Sequence, residues 1–300
     1  MWAGHELTWG DRTHVMAIIN LTPDSFSDGG RYLDTDAAVA HARELLGEGA
    51  EIVDVGGEST RPGAEAVSAD AELRRTEPVV TALAAAGATV SIDTSKAEVA
   101  RAALDAGARI VNDVTALRAD PELAALCAER GCDLVLMHMQ GTPRTMQADP
   151  RYDDVVDDVR AFLAERIALA TAAGVAEERI WVDPGIGFGK TLEHNLELLR
   201  RLGELRELGR PIVIGTSRKT FIGKLTGREP ADRLGGTIAT NVLALAAGAE
   251  IFRVHDVAPV RDALVVAQAI LGERQWGIDE RFAAPGSATG PSPGAAAGAT

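Results

Sequence analysis

The chain has 300 residues, 46% hydrophobic and 25% charged, with a formal net charge of −14. That composition is ordinary for a globular protein with one large core or two modest ones, and the acidic balance, without any Lys/Arg-rich run, argues against nucleic acid as a partner. No apolar stretch approaches the roughly 20 residues that cross a bilayer, and Met1–Gly10 has neither the basic start nor the hydrophobic segment of a signal peptide, so a cytoplasmic protein without membrane association is predicted.

Taken in chain order, short β-branched apolar runs alternate with longer segments of helical period. The runs are His14–Leu21, Glu51–Gly57, Ala88–Thr94, Arg109–Val114, Asp133–Met139, Arg179–Asp183, Pro211–Thr216 and Glu250–Val254. Each has the near-continuous hydrophobicity of a strand buried on both faces, and their alternation with helices is the pattern of a parallel sheet with crossover helices. Gly49-Ala50, Gly87-Ala88, Gly107-Ala108, Gly131-Cys132 and Gly248-Ala249 each stand between a helical segment and the next strand, where glycine can end a helix in the left-handed conformation. Eight such units predict an α/β fold, a single (β/α)₈ TIM barrel over residues 1–282, with an open doubly wound sheet as the alternative. Residues 283–300 are rich in Ala, Gly, Pro and Ser and lack large apolar side chains, which predicts a disordered tail. Cys127 and Cys132, the only cysteines, are expected to be small buried apolar residues and not a disulfide.

Nearly every predicted strand ends in side chains able to bind or ionise: Asn20, Asp54, Asp93, Asn112 with Asp113, His138, Asp183, Ser217 with Arg218 and Lys219, and Arg253 with His255. In a (β/α)₈ barrel these ends converge on one mouth, where active sites lie. A cap or rim hydrogen bond accounts for any one of them, but not readily for the whole set. Two connections, residues 20–30 and 56–67, are long and dense in turn-forming and anion-donating residues, and connections longer than the fold requires often form mobile lids. Asp183–Lys190 is a third Gly-rich loop, without the spacing of a P-loop or dinucleotide fingerprint. Buried carboxylates such as Asp93 and Asp183 suit a heterocycle with N–H donors, while Arg61, Lys219, Arg253 and His255 suit a phosphate-bearing group. The expected ligand is a donor-rich ring with an anionic tail. No zinc-spaced His/Cys cluster and no Ser-His-Asp set is recognisable.

The stretches Asn20–Gly30, Asp54–Gly63, Ser91–Lys96, Asn112–Asp113, Met137–Thr145, Asp183–Thr191, Ser217–Gly223 and Arg253–Asp256 together closely resemble the motifs of the bacterial dihydropteroate synthase family, in the family's order and over almost the whole chain. The resemblance implies a folate-biosynthetic transferase that joins a dihydropterin methyl diphosphate to 4-aminobenzoate and is a target of sulfonamides. It implies that Asp93, Asn112, Asp183 and Lys219 hold the pterin between Met137 and Phe188, and that Thr60, Arg61, Arg253 and His255 contact the diphosphate. It further implies Mg²⁺ with Asn20 as its protein ligand, and an aminobenzoate site near Phe26, Arg61, Pro62, Phe188 and Thr220. Asp93, Lys219, Arg253 and His255 are the residues that the resemblance assigns to catalysis, and a homodimer is implied as well. The implied chemistry is departure of diphosphate to leave a resonance-stabilised cation, which the arylamine captures while water is excluded. Thr220 departs from the serine that many members carry there, although a hydroxyl is retained. The same pterin-binding barrel occurs in methyltetrahydrofolate:corrinoid methyltransferases, which need no diphosphate pocket, so Thr22–Gly30 and the Arg253/His255 pair favour the synthase reading. A paralogue that binds pterin without turnover is the other alternative.

Overall fold

The computed structural model describes residues 13–22, 35–61 and 63–272. The expectations for Phe26, for Pro62, for most of the first long connection and for the 283–300 segment fall outside the described residues. The strands are β1 (His14–Asn20), β2 (Ile52–Gly56), β3 (Thr89–Asp93), β4 (Ile110–Asp113), β5 (Asp133–Met137), β6 (Ile180–Asp183), β7 (Val213–Ile214) and β8 (Ile251–Val254). They form one eight-stranded sheet in the order β6-β5-β4-β3-β2-β1-β8-β7, and every pairing is parallel. A bridge between Val182 and Ile212, with Val182 N–H donating to the Pro211 carbonyl at 2.9 Å, joins the two edges and closes the barrel.

The helices on the outside are α1 (Thr35–Gly47), α2 (Ala69–Ala85), α3 (Ala97–Asp105), α4 (Glu122–Arg130), α5 (Val155–Ala172), α6 (Leu192–Arg200), α7 (Thr220–Thr226), α8 (Leu234–Ala246) and α9 (Val257–Leu271). Side-chain caps set several of their starts: Ser68 accepts from Ala71 N–H, Asp154 accepts from Val156 and Asp157, and Thr191 forms a reciprocal capping box with His194. The glycine signature before the strands holds, with Gly49 at φ 104° and Gly248 at φ 97°. Among the described residues no helix is long and apolar enough to cross a membrane. Cys127 and Cys132 are free and buried.

Strand alternation explains how the barrel carries both a core and a site. Outward residues such as Val15, Val53, Val111, Leu134, Val182 and Phe252 pack beneath the helices. Inward residues Met16, Ile52, Ile110, Val135, Trp181, Val213 and Ile251 form a separate fully buried plug in the lumen. Both faces of each strand are therefore apolar in this layer, which accounts for the continuous hydrophobicity of the runs. A step of two along the strands brings the next inward layer, where Asp54, Asn112, Met137, Asp183 and Arg253 stand. The predicted strand over Pro211–Thr216 is observed only as Val213–Ile214. Pro211 has no N–H to offer a ladder, and after Gly215 a turn closed by Lys219 N–H on the Thr216 carbonyl takes the chain away from the sheet.

Candidate active site

Arg253, inward on β8, reaches across the lumen to two carboxylates. Its Nε donates to Asp54 Oδ2 and its Nη2 to Asp93 Oδ2, each at 2.7 Å. Asn112 Nδ2 donates to the same Asp54 oxygen at 3.0 Å. Asp54 is wholly inaccessible and Asp93 is 7% exposed, so these charge-assisted bonds lie in a medium poor in water. Burial pushes the Asp93 carboxyl up to about 7, against the lowering field of Arg253 and with a further upward push from Asp54. Register explains the proximity, because Asp93 lies opposite Gly56 on β2 and Asn112 on β4.

On the other side of the mouth, Asp183 at the end of β6 accepts Gly185 N–H at 2.6 Å. Burial raises its pKa and the Lys219 ammonium pulls it down. Lys219 donates to the Ile186 carbonyl and lies 4.3 Å from the centre of the Phe188 ring, a cation–π distance. Burial holds Lys219 down, at about 8, despite the nearby Asp183. Met137 is paired in register with Asp183 and belongs to an apolar cluster against which Phe188 packs. The charges of Asp93, Asp183, Lys219 and Arg253 act on one another, so these four residues share one electrostatic centre.

Two strand-end residues from the sequence reading face away from it. Asp113 has the opposite parity to Asn112 and accepts from Thr115 and Leu117 N–H groups at 2.8 and 2.6 Å. Those bonds hold Ala116 and Leu117 in left-handed backbone, at φ 51° and 65°. His138 has the opposite parity to Met137; its Nδ1 meets Lys190 Nζ at 2.9 Å and its ring packs edge-on against Phe162. Burial and the neighbouring Lys190 push His138 down to about 2, so it is neutral. Both residues build walls, and neither belongs to the lumen.

Lys190 gains a role that the Gly-rich pattern alone did not convey. It is 3% exposed, and its Nζ donates to the carbonyls of Gly185 and Phe188, each at 3.0 Å, as well as contacting His138. Burial pushes the Lys190 pKa well below the ordinary lysine value, and its Nζ gathers the 183–190 loop from beneath. Gly185 has φ +66°, and a Cβ there would stand 1.9 Å from the His138 carbonyl oxygen, so this position requires glycine.

At the rim, Ser217 Oγ accepts the His255 backbone N–H at 3.2 Å and contacts His255 Nδ1 at 2.9 Å. The hydroxyl donates to Nδ1 when the neutral ring carries its proton on Nε2, and accepts from Nδ1–H in the other tautomer. Burial and the charge of Arg253 push His255 down to about 3, and Arg61 adds to that effect. Arg218 holds a left-handed φ of 56°, fixed by a fork onto Asp256 and by donation of its N–H to Thr237 Oγ1. Thr220, the first residue of α7, is exposed, Asn20 and Thr60 are half-buried, and Arg61 is exposed.

Residues 16–255 match the model of the pterin binding enzyme family, a span that includes the lumen residues and His255. The chain belongs to the pterin-binding enzyme family. Within that family it is 48% identical to the dihydropteroate synthase of Synechocystis sp. over 264 residues, covering 87% of this chain and 91% of that protein. It is 51% identical to the dihydropteroate synthase of Mycobacterium leprae over 265 residues, covering 86% and 93%. Among solved structures, the dihydropteroate synthase of Xanthomonas albilineans with 4-aminobenzoic acid superposes with a TM-score of 0.82 at 50% identity, covering 87% of this chain and 94% of that one. The Yersinia pestis dihydropteroate synthase in complex with a sulfonamide drug gives 0.84 at 43% identity, with 89% and 99% covered.

Proposed function

We propose that this pterin-binding enzyme condenses 6-hydroxymethyl-7,8-dihydropterin diphosphate with 4-aminobenzoate, giving 7,8-dihydropteroate and diphosphate. The observation that carries the reading is the electrostatic centre of Asp93, Asp183, Lys219 and Arg253 at the lumen mouth, set beside the apolar Met137 and Phe188. Asp183 has one oxygen on Gly185 N–H, and its second oxygen is the acceptor for the amino-pyrimidine edge of the ring. Lys219, Asn112 and the Arg253–Asp93 pair complete the polar perimeter, while Met137 and Phe188 cover the ring faces.

In the reaction the bond between the pterin methylene carbon and the diphosphate oxygen breaks, and the electron pair leaves with diphosphate. The amine nitrogen of 4-aminobenzoate then bonds to the methylene, and its surplus proton leaves to solvent or to the departing anion. Asp93 faces the resulting cation with its negative charge, and His255, Arg61 and Thr60 receive the anion at the rim. The aminobenzoate lies outward from the pterin, near Phe188, Thr220 and Arg61, with Phe26 and Pro62 as its expected further contacts.

The same reading assigns Mg²⁺ to Asn20. This residue ends β1 at the mouth, is half-buried, and has no side-chain partner among the described residues, so it can offer its amide oxygen. Among the described residues no group of three or more His, Cys, Asp or Glu could cage a metal, and a single amide fits an ion that takes its remaining ligands from diphosphate and water. When bound, the ion would neutralise charge on the leaving group. Exposed Leu225, Leu243 and Ile270 on α7, α8 and α9 support a homodimer, and the two free buried cysteines support a cytoplasmic location. The deciding experiment is diphosphate release by the purified protein with the pterin diphosphate and Mg²⁺, with and without 4-aminobenzoate. Aminobenzoate-dependent release is expected, and pterin binding without release would leave a non-productive paralogue.

A further inference from the structure

The second long connection is fastened at its base by a charged group that the reaction does not use. Gly57 follows β2 and lies directly on α2: a Cβ there would stand 2.8 Å from Thr76 Cγ2 and 2.9 Å from Glu72 Cγ, and Arg75 Nη1 donates to its carbonyl at 2.7 Å. Glu58 then sends its two carboxylate oxygens in different directions. Oε1 accepts Val67 N–H at 3.0 Å, which ties the start of the connection to its end. Oε2 accepts from Lys96 Nζ, and the same ammonium donates to Glu72 Oε2 at 2.5 Å. Lys96 stands between β3 and α3, shortly after Asp93, so one cation links the connection, α2 and the strand end that carries Asp93. Burial works against the charge of Lys96, but its contacts with Glu58 and Glu72 outweigh it and raise its pKa. The connection also touches the loop after β5, through Gly63 N–H on the Pro143 carbonyl at 3.2 Å.

We propose that Glu58 and Lys96 are positioning residues for the arylamine: their ion pair, seated on Glu72, fixes the connection that presents Thr60 and Arg61. The proposal rests on the synthase reading for the identity of the arylamine. Thr60 and Arg61 belong to no helix or strand and lie between the two points that Glu58 fastens, so that carboxylate, together with the Gly63–Pro143 bond, holds them in place. The lumen residues have independent support from the barrel strands.

Glu58→Ala is the informative variant, because it frees the connection and leaves the Lys96–Glu72 pair intact. Removing Lys96 would be less clean, since Glu72 is 0% exposed and its Oε1 already lacks a hydrogen-bond partner. Loss of a charge-assisted tie should raise KM for 4-aminobenzoate, and the inhibition constant of a sulfonamide, by about tenfold or more. The dissociation constant of the pterin alcohol, measured by calorimetry, should stay within about twofold, because one lumen network is untouched. Glu58→Gln keeps an acceptor for Val67 N–H but removes the ion pair and turns its N–H₂ toward Lys96, so it should recover only part of the loss. A variant that turns over nothing yet binds pterin alcohol normally and no sulfonamide also supports the proposal. Unchanged arylamine KM would overturn it, as would parallel weakening of arylamine and pterin alcohol, or a Gln variant with the wild-type KM. If the wild-type protein releases no diphosphate, the synthase reading fails by itself; amide exchange over residues 57–67 then reads the tie, and exchange in Glu58→Ala no faster than in wild type refutes it.

Discussion

An Asp54→Asn exchange keeps the side-chain shape at the centre of the lumen and removes one of the two charges facing Arg253. The new amide oxygen can still accept from Arg253 Nε and Asn112 Nδ2, and Asp93 still faces the guanidinium. Breaking a buried ion pair outright costs about 3–5 kcal/mol; with one of two carboxylates retained, the expected loss is about 2 kcal/mol, or about 5 °C in Tm. The sharper consequence concerns Asp93, whose carboxyl sits at about 7 in place of an ordinary 3.8, chiefly through burial but with Asp54 contributing. A folded-state pKa raised in this way means that the native protein holds the proton more tightly than the unfolded chain. The stability that this group contributes is therefore complete below 3.8 and declines as pH rises toward about 7. Removing Asp54 lowers the upper end of that window. If ionised Asp93 faces the developing cation, the acid limb of the kcat/KM profile moves to lower pH in Asp54→Asn, while the alkaline limb stays in place. The assay is a pH series of aminobenzoate-dependent diphosphate release, with Tm measured on the same samples. A folded variant whose acid limb stays put or moves upward would refute the coupling of these two carboxylates.

Asp183→Asn should weaken pterin alcohol by about tenfold or more, since a neutral amide replaces the anionic acceptor for a donor-rich edge; unchanged affinity in calorimetry would reject that role. His255→Ala should weaken the pterin diphosphate about tenfold while sparing the pterin alcohol, and equal losses for both ligands would show that the imidazole does not read the anion. Arg253→Ala should behave differently, because it leaves Asp54 and Asp93 without their cation: a stability loss of about 3–5 kcal/mol is expected, visible as a lowered denaturant midpoint, and a midpoint near wild type would contradict the observed ion pairs. Gly185→Ala forces a methyl onto the His138 carbonyl at a positive φ and should cost about 3 kcal/mol or more; a Tm close to wild type would show that the loop can give way.

The barrel was legible because its strands are apolar on both faces and five of them are announced by a glycine that ends the preceding helix. Its mouth was legible because polar residues follow those runs. The sequence could not assign Asp113 and His138, which sit next to Asn112 and Met137 but point outward; only the pleat, fixed by the neighbouring strands, separates the two parities. Asp54 was visible as a strand-end residue, yet its partnership with Arg253 spans 199 residues and depends on how the ring closes. Lys190 was read only as the end of a glycine-rich stretch, because nothing local shows that the chain folds its carbonyls back around the Lys190 Nζ. The shortness of β7 had one local signal, Pro211, at the head of its run.

The ring is unevenly hooped. From β6 through β1 to β8 the strands are joined by continuous ladders, whereas β6 and β7 meet through one bridge at Val182 and Ile212. Local opening draws on the least supported hydrogen bonds, so the seam rather than the mouth is where the wall should part first. Water entering there would reach Trp181 on β6 and wet the plug from the side. A chain cut between α6 and β7 would still be held by the β1–β8 ladder, which makes this seam the natural place to divide the protein into two pieces that reassemble.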